Sequence, residues 1–366
     1  MTGSDVTRDG PRGERPGREA VPAALQPGKP PGTGRRRKGK GRGEQLMVPR
    51  AEFRSYYGRP VVKAPAWQAR DIAGYFFTGG LAGAGSVLAA GAGLTGRHAT
   101  AKAMKVSSLA AISLSTAALI HDLGRPERFA NMLRVIKPTS PMSVGSWLLA
   151  GYGPAAGAAA GSALTGLLPR AGRAATGVAA MLGPAVAAYT AVLAADTAVP
   201  AWHDAHRELP YVFTASATAA AAGMALTLAP ARENGPARNA ALLAAAGEAV
   251  AVRLMKRRTG IVAETYEQGR GGRLLRAAER LTAGGALGAA LLGRHRAAAV
   301  ASGLALLAGS ACTRFGIFHA GIASAEDPRY TVVPQRERLD SRPPEHGNGR
   351  SERPGRHDRN ERKAQA

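Results

Sequence analysis

The sequence predicts an all-α, polytopic integral membrane helix bundle, and three features of the chain support this fold class. Most of the middle of the 366-residue chain consists of Ala, Gly, Leu and Val. These residues form runs of roughly 17–26, the length that a helix needs to cross the ~30 Å of hydrocarbon in a bilayer. The charged residues are concentrated outside the runs, in two polar ends and a few short connectors.

We count eight candidate transmembrane spans, at about 72–95, 104–121, 144–168, 174–196, 211–229, 239–255, 281–293 and 297–322. The seventh run is short, so we expect its helix to include part of the preceding stretch 274–280. Gly and Ala are abundant within the runs. Small residues are typical of membrane helices, because they let backbones approach closely where lipid provides no hydrophobic drive for association.

The two ends of the chain lack the apolar content of a folded core. Residues 1–70 carry sixteen Lys and Arg against six acidic residues, and residues 326–366 have almost no large apolar side chains. Such segments cannot bury enough apolar surface to offset the entropy of ordering. We therefore expect a disordered basic tail at 1–70, a transmembrane domain at 71–325 and a disordered polar tail at 326–366.

The charge distribution predicts how the bundle is oriented. An even number of spans places both termini on one side of the membrane, together with the connectors 122–143, 197–210 and 256–280. Those connectors hold twelve Lys and Arg, and the opposite connectors hold nine. With the basic tail, whose expected partner is anionic lipid rather than nucleic acid, the positive-inside rule places both termini in the cytoplasm.

The residues that could carry chemistry gather near that same side, at the ends of the runs. Ionisable groups near hydrocarbon are costly and are functional candidates by default. Asp122 could simply pair with Arg125 at a helix exit, and Asp196 could simply be a helix-end residue. Glu248 lies in the middle of a span, where a proton relay and a neutral interhelical hydrogen bond are both open readings. The aromatic residues at this depth form either an ordinary interfacial belt or the wall of a pocket.

The Cys and His content excludes several redox centres within this chain. Cys312 is the single cysteine, so neither an intrachain disulfide nor a cysteine-ligated iron–sulfur cluster is possible. A bis-His haem needs two imidazoles at matching depth on facing helices. His121 and His319 are the nearest pair, but their depths differ by roughly 10 Å at ~1.5 Å per residue. We therefore expect no metal or haem in this chain.

Four stretches of the sequence carry a resemblance to a known family. They run from Tyr75 to Ser86 (YFFTGGLAGAGS), from His121 to Trp147 (with DLGRPERF and GSW), from Tyr189 to Pro210, and from Arg314 to Tyr330. In these stretches the chain resembles the NrfD-type membrane anchor of polysulfide reductase and related molybdenum enzymes. The resemblance extends over about residues 70–334 and leaves out both tails.

This resemblance implies a function that composition alone does not. It implies a quinone-binding subunit in the cell membrane that is not catalytic alone. A menaquinone or ubiquinone would be its bound redox carrier. The implied partners are a ferredoxin-like subunit with [4Fe–4S] clusters and a molybdopterin catalytic subunit.

The resemblance also suggests which residues perform each task. Those expected to contact the quinone or transfer its protons are Tyr75, His121, Asp122, Tyr189 and Asp196, and Glu248 is added to them because of its charge in the middle of a span. Those expected to dock the partner subunit are Arg125, Arg128, Trp202, His203 and Arg314. Two alternatives stay open at this point: a secondary transporter, although no clear internal repeat is visible, and a haem b-type membrane cytochrome subunit.

Overall fold

The computed structural model describes residues 6–7, 10–11, 61–65, 67–123 and 131–340, and this part of the chain is almost entirely helical. Its α-helices, in chain order from α1 to α11, are Ala69–Leu94, His98–Asp122, Pro141–Thr165, Pro169–Ala195, Pro200–Asp204, Leu209–Leu228, Gly235–Arg258, Glu264–Glu267, Gly269–Leu292, Arg296–Glu326 and Arg329–Asp340. Two 3₁₀-helices, Ala231–Glu233 and Gly260–Ala263, lie in connectors. Near the N-terminus Val6–Thr7 pairs antiparallel with Gly10–Pro11.

The prediction of an all-α membrane bundle is confirmed. A long helix covers each of the eight predicted spans: α1, α2, α3, α4, α6, α7, α9 and α10. The seventh, α9, extends back through 274–280 as expected. Within the described residues, five of the eight are long and apolar enough to cross a membrane, namely α1, α2, α4, α6 and α10. Helices α7 and α9 carry more charged residues, and α3 is rich in Gly.

The long helices pack as two groups of four. Helices α1–α4 form the first group, in which α1 packs on α2 and α4, and α3 packs on α4. Helices α6, α7, α9 and α10 form the second, in which α10 packs on α6 and α9. The groups meet through α1 and α6. Helices α3, α4, α6 and α7 each have Pro in their first turn. Proline is favourable there because backbone N–H groups in the first turn have no acceptor within the helix.

The backbones approach most closely where two glycines face each other. Gly83 of α1 lies against Gly183 of α4, and a Cβ on either would collide with the carbonyl oxygen of the other. Gly223 of α6 and Gly303 of α10 face each other in the same way. The Gly content that the sequence shows therefore serves helix packing within both groups.

The bundle has two ends, which we call the proximal and the distal face. Helices α1, α3, α6 and α9 begin at the proximal face, and α5, α8 and α11 lie there. Contacts between elements distant in sequence support this arrangement. At the proximal face Arg258 pairs with Glu208 at 2.9 Å. At the distal face the backbone N–H of Thr100 donates to Glu233 at 2.8 Å.

The predicted disordered tail at 326–366 is wrong for its first part, because α11 occupies Arg329–Asp340. Tyr330 is buried in the core of the proximal face. Arg329 bonds Asp327 at 2.8 Å and pairs with Glu264 at 3.3 Å. Tyr330 and the ion pair with Glu264 thus attach a segment whose composition is otherwise polar. Residues 341–366, and most of the predicted tail at 1–70, lie outside the described residues.

Candidate functional site

Helices α1–α4 enclose a narrow cleft below the proximal face. Its lining combines two phenols, two hydroxyls and apolar side chains: Tyr75, Gly79, Ile112, Ser115, Gly145, Leu148, Leu149, Val186, Tyr189 and Thr190. The enclosed part measures about 10 Å³, within about 270 Å³ of empty space that includes an opening to the outside. An enclosed volume of that size holds about one water molecule. The cleft therefore has a mostly apolar lining with a few polar groups and very little enclosed space.

Tyr75 and Tyr189 bring their phenols into this cleft from facing helices. Tyr75 is buried on α1 and Tyr189 is half-buried on α4. The two phenols are near enough to interact electrostatically. Within the described part of the chain, neither hydroxyl makes a hydrogen bond to a side chain or backbone group. Among the residues that the structure describes, these two O–H donors thus have no acceptor.

Gly145 of α3 is what allows Tyr189 to lie in this position. A Cβ at residue 145 would come within 2.5 Å of two ring carbons and of the hydroxyl oxygen of Tyr189. Only glycine leaves room for the ring. The GSW segment predicted as part of a functional motif therefore has a clear structural task, which is to seat one phenol of the cleft.

An acidic residue and a histidine lie together at the proximal rim of the first group. Nδ1 of His121 on α2 lies 3.0 Å from a carboxylate oxygen of Asp71 on α1, which accepts a hydrogen bond when that nitrogen carries a proton. The side chain of His121 is 73% exposed and that of Asp71 is 13% exposed. Asp122 interacts electrostatically with Asp71. Two of the predicted residues, His121 and Asp122, therefore gather around Asp71.

Sequence reasoning missed Asp71, although a signal was present. Asp71 precedes Tyr75 by four residues, so both lie on one side of α1, about one turn apart. The spacing of four residues between an acid at the start of the first apolar run and Tyr75 therefore indicated that both lie on the face of α1 that lines the cleft. Ser115 was also missed. Its hydroxyl donates to the carbonyl of Tyr75 at 3.2 Å and fixes α1 against α2.

Two predicted quinone contacts do not line the cleft. Asp196 is exposed at the C-terminal end of α4, seven residues beyond Tyr189, or about 10 Å along the helix. Glu248 is buried on α7, in the second group of helices, where the hydroxyl of Thr313 donates to it at 2.5 Å. The structure therefore brings together four of the six predicted residues at the cleft and its rim.

The docking prediction is wrong for Trp202 and Arg314, because both side chains are fully buried. The indole N–H of Trp202 donates to the carbonyl of Ile317 at 2.9 Å, and its ring stacks on Trp67. Trp202 therefore anchors the short helix α5 to α10. It cannot touch a partner subunit without leaving this site.

Arg314 lies instead in the polar interior of the second group. Its guanidinium donates to the carbonyl of Phe213 at 2.6 Å and lies 3.9 Å above the centre of that ring. It also interacts electrostatically with Glu248. Among the described residues, one oxygen of Glu248 and two nitrogens of Arg314 lack hydrogen-bond partners. Opposite charges inside hydrocarbon are expected to lie near one another in this way.

The remaining docking predictions are not contradicted. His203 is exposed at the proximal face, where its Nδ1 lies 3.2 Å from the carbonyl oxygen of Ala195. Arg125 and Arg128 lie outside the described residues. In the described ranges, which omit the loop at 124–130, no group of three His, Cys, Asp or Glu side chains could hold a metal ion.

A protein-family model matches a part of the chain that includes the whole first group of helices. The family model described as "Polysulphide reductase, NrfD" matches residues 65–256, more than half of the chain. The match includes all of α1–α4 and therefore the whole cleft. It also includes three of the four resembling stretches, whereas the stretch from Arg314 to Tyr330 lies beyond it. No curated protein matches the chain. The chain therefore belongs to the NrfD family, the membrane subunits of oxidoreductase complexes.

Proposed function

We propose that this chain binds a quinone in the cleft between α1 and α4 and passes electrons between the quinol pool and an iron–sulfur partner. The observation that carries the proposal is the pair of phenols, Tyr75 and Tyr189, which line an apolar cleft without a hydrogen-bond partner among the described residues. The cleft lies inside the residues that match the family. A mostly apolar pocket with a few convergent polar groups is the usual form of a small-molecule site.

The donor set suits a quinone headgroup. Its two carbonyl oxygens accept hydrogen bonds, and phenol hydroxyls donate them. The enclosed volume of about 10 Å³ is too small for a ring, so side chains must move for it to enter. Leu148 and Leu149 of α3 are half-buried in the cleft wall, and Tyr189 is half-buried opposite them. We propose that the ring enters from the bilayer by displacing these three side chains.

Asp71 and His121 are placed to handle protons at the proximal rim. A bound quinone supplies two-electron chemistry coupled to protons. Tyr75 lies four residues from Asp71, which is ~6 Å along α1. The side chain of His121 is largely exposed, and an imidazole can both accept and donate a proton. We propose that Asp71 holds His121 in position and that His121 exchanges protons with the solvent. Glu248 lies apart from this route, and a role for it in proton transfer stays a separate proposal.

The partner subunits are proposed to dock at the proximal face. A [4Fe–4S] ferredoxin-like subunit would lie next to this chain, and a molybdopterin catalytic subunit would lie beyond it. The cleft is nearest to this face, which shortens the path of the electrons. His203 is exposed there, and Arg125 and Arg128 belong to the connector between α2 and α3 in the sequence. We further propose that this face and both termini are cytoplasmic, since the basic tail precedes α1 there.

The proposal is tested by removing each phenol hydroxyl in the purified complex. Tyr75→Phe and Tyr189→Phe keep the rings and delete one donor each. The net value of a hydrogen bond is about 1 kcal/mol, so we expect the KM for quinol to rise about fivefold in each variant. Tyr211→Phe is the matched control, because Tyr211 is exposed at the start of α6, away from the cleft. Equal quinol kinetics in all three variants would contradict the proposed site.

A further inference from the structure

A second and larger cleft lies outside the proposed quinone site. It measures about 500 Å³, within the ~300–1,000 Å³ typical of ligand pockets. Four helices contribute to it: α1, α4, α6 and α7. Representative lining residues are Val87, Leu88, Gly91, Pro184, Thr218 and Ala240. The lining is almost wholly apolar and contains no charged side chain.

The shape of this cleft follows the bilayer normal. On α6 it includes Thr214, which lies fourteen residues before the distal end of that helix at Leu228, or ~21 Å at 1.5 Å per residue. On α1 and α7 it reaches Thr95 and Pro236, at the distal face. One leaflet of hydrocarbon is ~15 Å deep, half of the ~30 Å core. The cleft therefore has the length of one acyl chain and opens toward the distal face.

The wall is also open to the side. Val87 and Gly91 of α1 and Pro184 of α4 are exposed. In a chain that spans a membrane, that surface faces lipid tails rather than water. We therefore expect lipid tails to fill an apolar cleft of this size that opens to the hydrocarbon.

Two arginines lie near the distal mouth. Thr100 of α2 bonds Glu233 through both its N–H, at 2.8 Å, and its hydroxyl, at 2.9 Å. Arg97 lies three residues before Thr100, and Arg232 adjoins Glu233, so this bond brings both arginines to the same part of the distal face. Neither guanidinium makes a hydrogen bond or ion pair with another described residue, and Arg232 interacts electrostatically with the neighbouring Glu233. Glu233 offsets only one of the two arginine charges, so these three side chains leave the mouth with a net positive charge.

We propose that this cleft is a binding site for one anionic phospholipid, with an acyl chain between α1, α4, α6 and α7 and its phosphate at Arg97 and Arg232. The apolar wall supplies the favourable burial of the chain. The arginines select a negative headgroup, because guanidinium pairs well with phosphate oxygens. The site is separate from the quinone cleft and does not depend on it. The lipid would fill the space between the two groups of helices.

The chain offers a matched pair of substitutions to test the acyl site. Gly91 lines the cleft and Gly93 does not, yet both are exposed on α1 with nothing within 4 Å of a Cβ added at either. Gly91→Leu should fill the cleft and Gly93→Leu should not, while both changes raise helix propensity equally. The full chain would be extracted in mild detergent and its bound lipids counted by native mass spectrometry. We expect one phospholipid per chain in the wild type and in Gly93→Leu, and at least a tenfold loss in Gly91→Leu.

A second arm tests the headgroup. Arg97→Gln and Arg232→Gln would be compared with Arg294→Gln, an exposed arginine at another connector of the distal face. In nanodiscs of phosphatidylglycerol and phosphatidylcholine, we expect each of the first two to reduce the preference for phosphatidylglycerol about fivefold, since one arginine near anionic lipid contributes ~1 kcal/mol. Equal lipid retention by Gly91→Leu and Gly93→Leu, no bound lipid in the wild type, a co-purified prenyl quinone instead of a phospholipid, or an unchanged headgroup preference would overturn the proposal.

Discussion

Gly145→Ala should disable the quinone cleft through a single methyl group. The added Cβ would lie less than 2.5 Å from atoms of the Tyr189 ring, whereas an ordinary carbon–carbon contact is ~3.5 Å. The ring must therefore move by at least about 1 Å. Misplacement of a positioning group by 1 Å can reduce a rate about 10²-fold. We expect quinol-dependent turnover of the purified complex to fall between about 10-fold and 100-fold.

Gly153→Ala is the matched control for this prediction. Gly153 lies on the same helix, and a Cβ added there meets nothing within 4 Å. It should leave turnover unchanged and stabilise the helix slightly, by up to ~1 kcal/mol. Adding Tyr189→Ala to Gly145→Ala removes the collision but should not restore turnover, because the donor is then absent. If Gly145→Ala turns over quinol as fast as Gly153→Ala does, the reasoning about Tyr189 is refuted.

Two further predictions concern the distal face and the orientation of the chain. The hydrogen bonds from Thr100 hold the pKa of Glu233 below its ordinary value, so its stabilising effect is present above the unfolded pKa of ~4.3 and is lost as pH falls through the lower folded pKa. Thermal unfolding should therefore show an advantage of the wild type over Glu233→Gln near pH 6 that disappears toward pH 3, and a constant difference would contradict this account. With Cys312 replaced by Ala, a cysteine at exposed His203 should resist a membrane-impermeant maleimide in intact cells while one at exposed Arg294 reacts, and the reverse pattern would place the proximal face outside.

The sequence predicts the helices and the face of interest well, for simple physical reasons. The thickness of the hydrocarbon sets the length of each span, so the eight apolar runs can be recognised as helices from their length. Alternation of direction then puts the starts of α1 and α3 beside the ends of α2 and α4. This alternation is consistent with one site for Tyr75 and Tyr189, which are 114 positions apart, but it was the family resemblance that suggested the pair.

What the sequence does not determine is the direction in which each side chain points. Trp202 and Arg314 lie at the depth expected for docking residues, but both point into the bundle. Depth follows from position along a helix, whereas burial depends on which helix packs on which side. Because helix packing was unknown, Glu248 was grouped with the quinone contacts. For the same reason the anchoring of α11 by Tyr330 was not predicted.

The central claim is that the quinone binds between α1 and α4, and covalent labelling tests it most directly. The purified complex would be illuminated with a photoreactive azidoquinone and its peptides mapped by mass spectrometry. The account predicts adducts on the peptides that carry Tyr75 and Tyr189, competed away by unmodified quinone and reduced in Gly145→Ala. Adducts confined to α7 and α10, around Glu248 and Arg314, would contradict it.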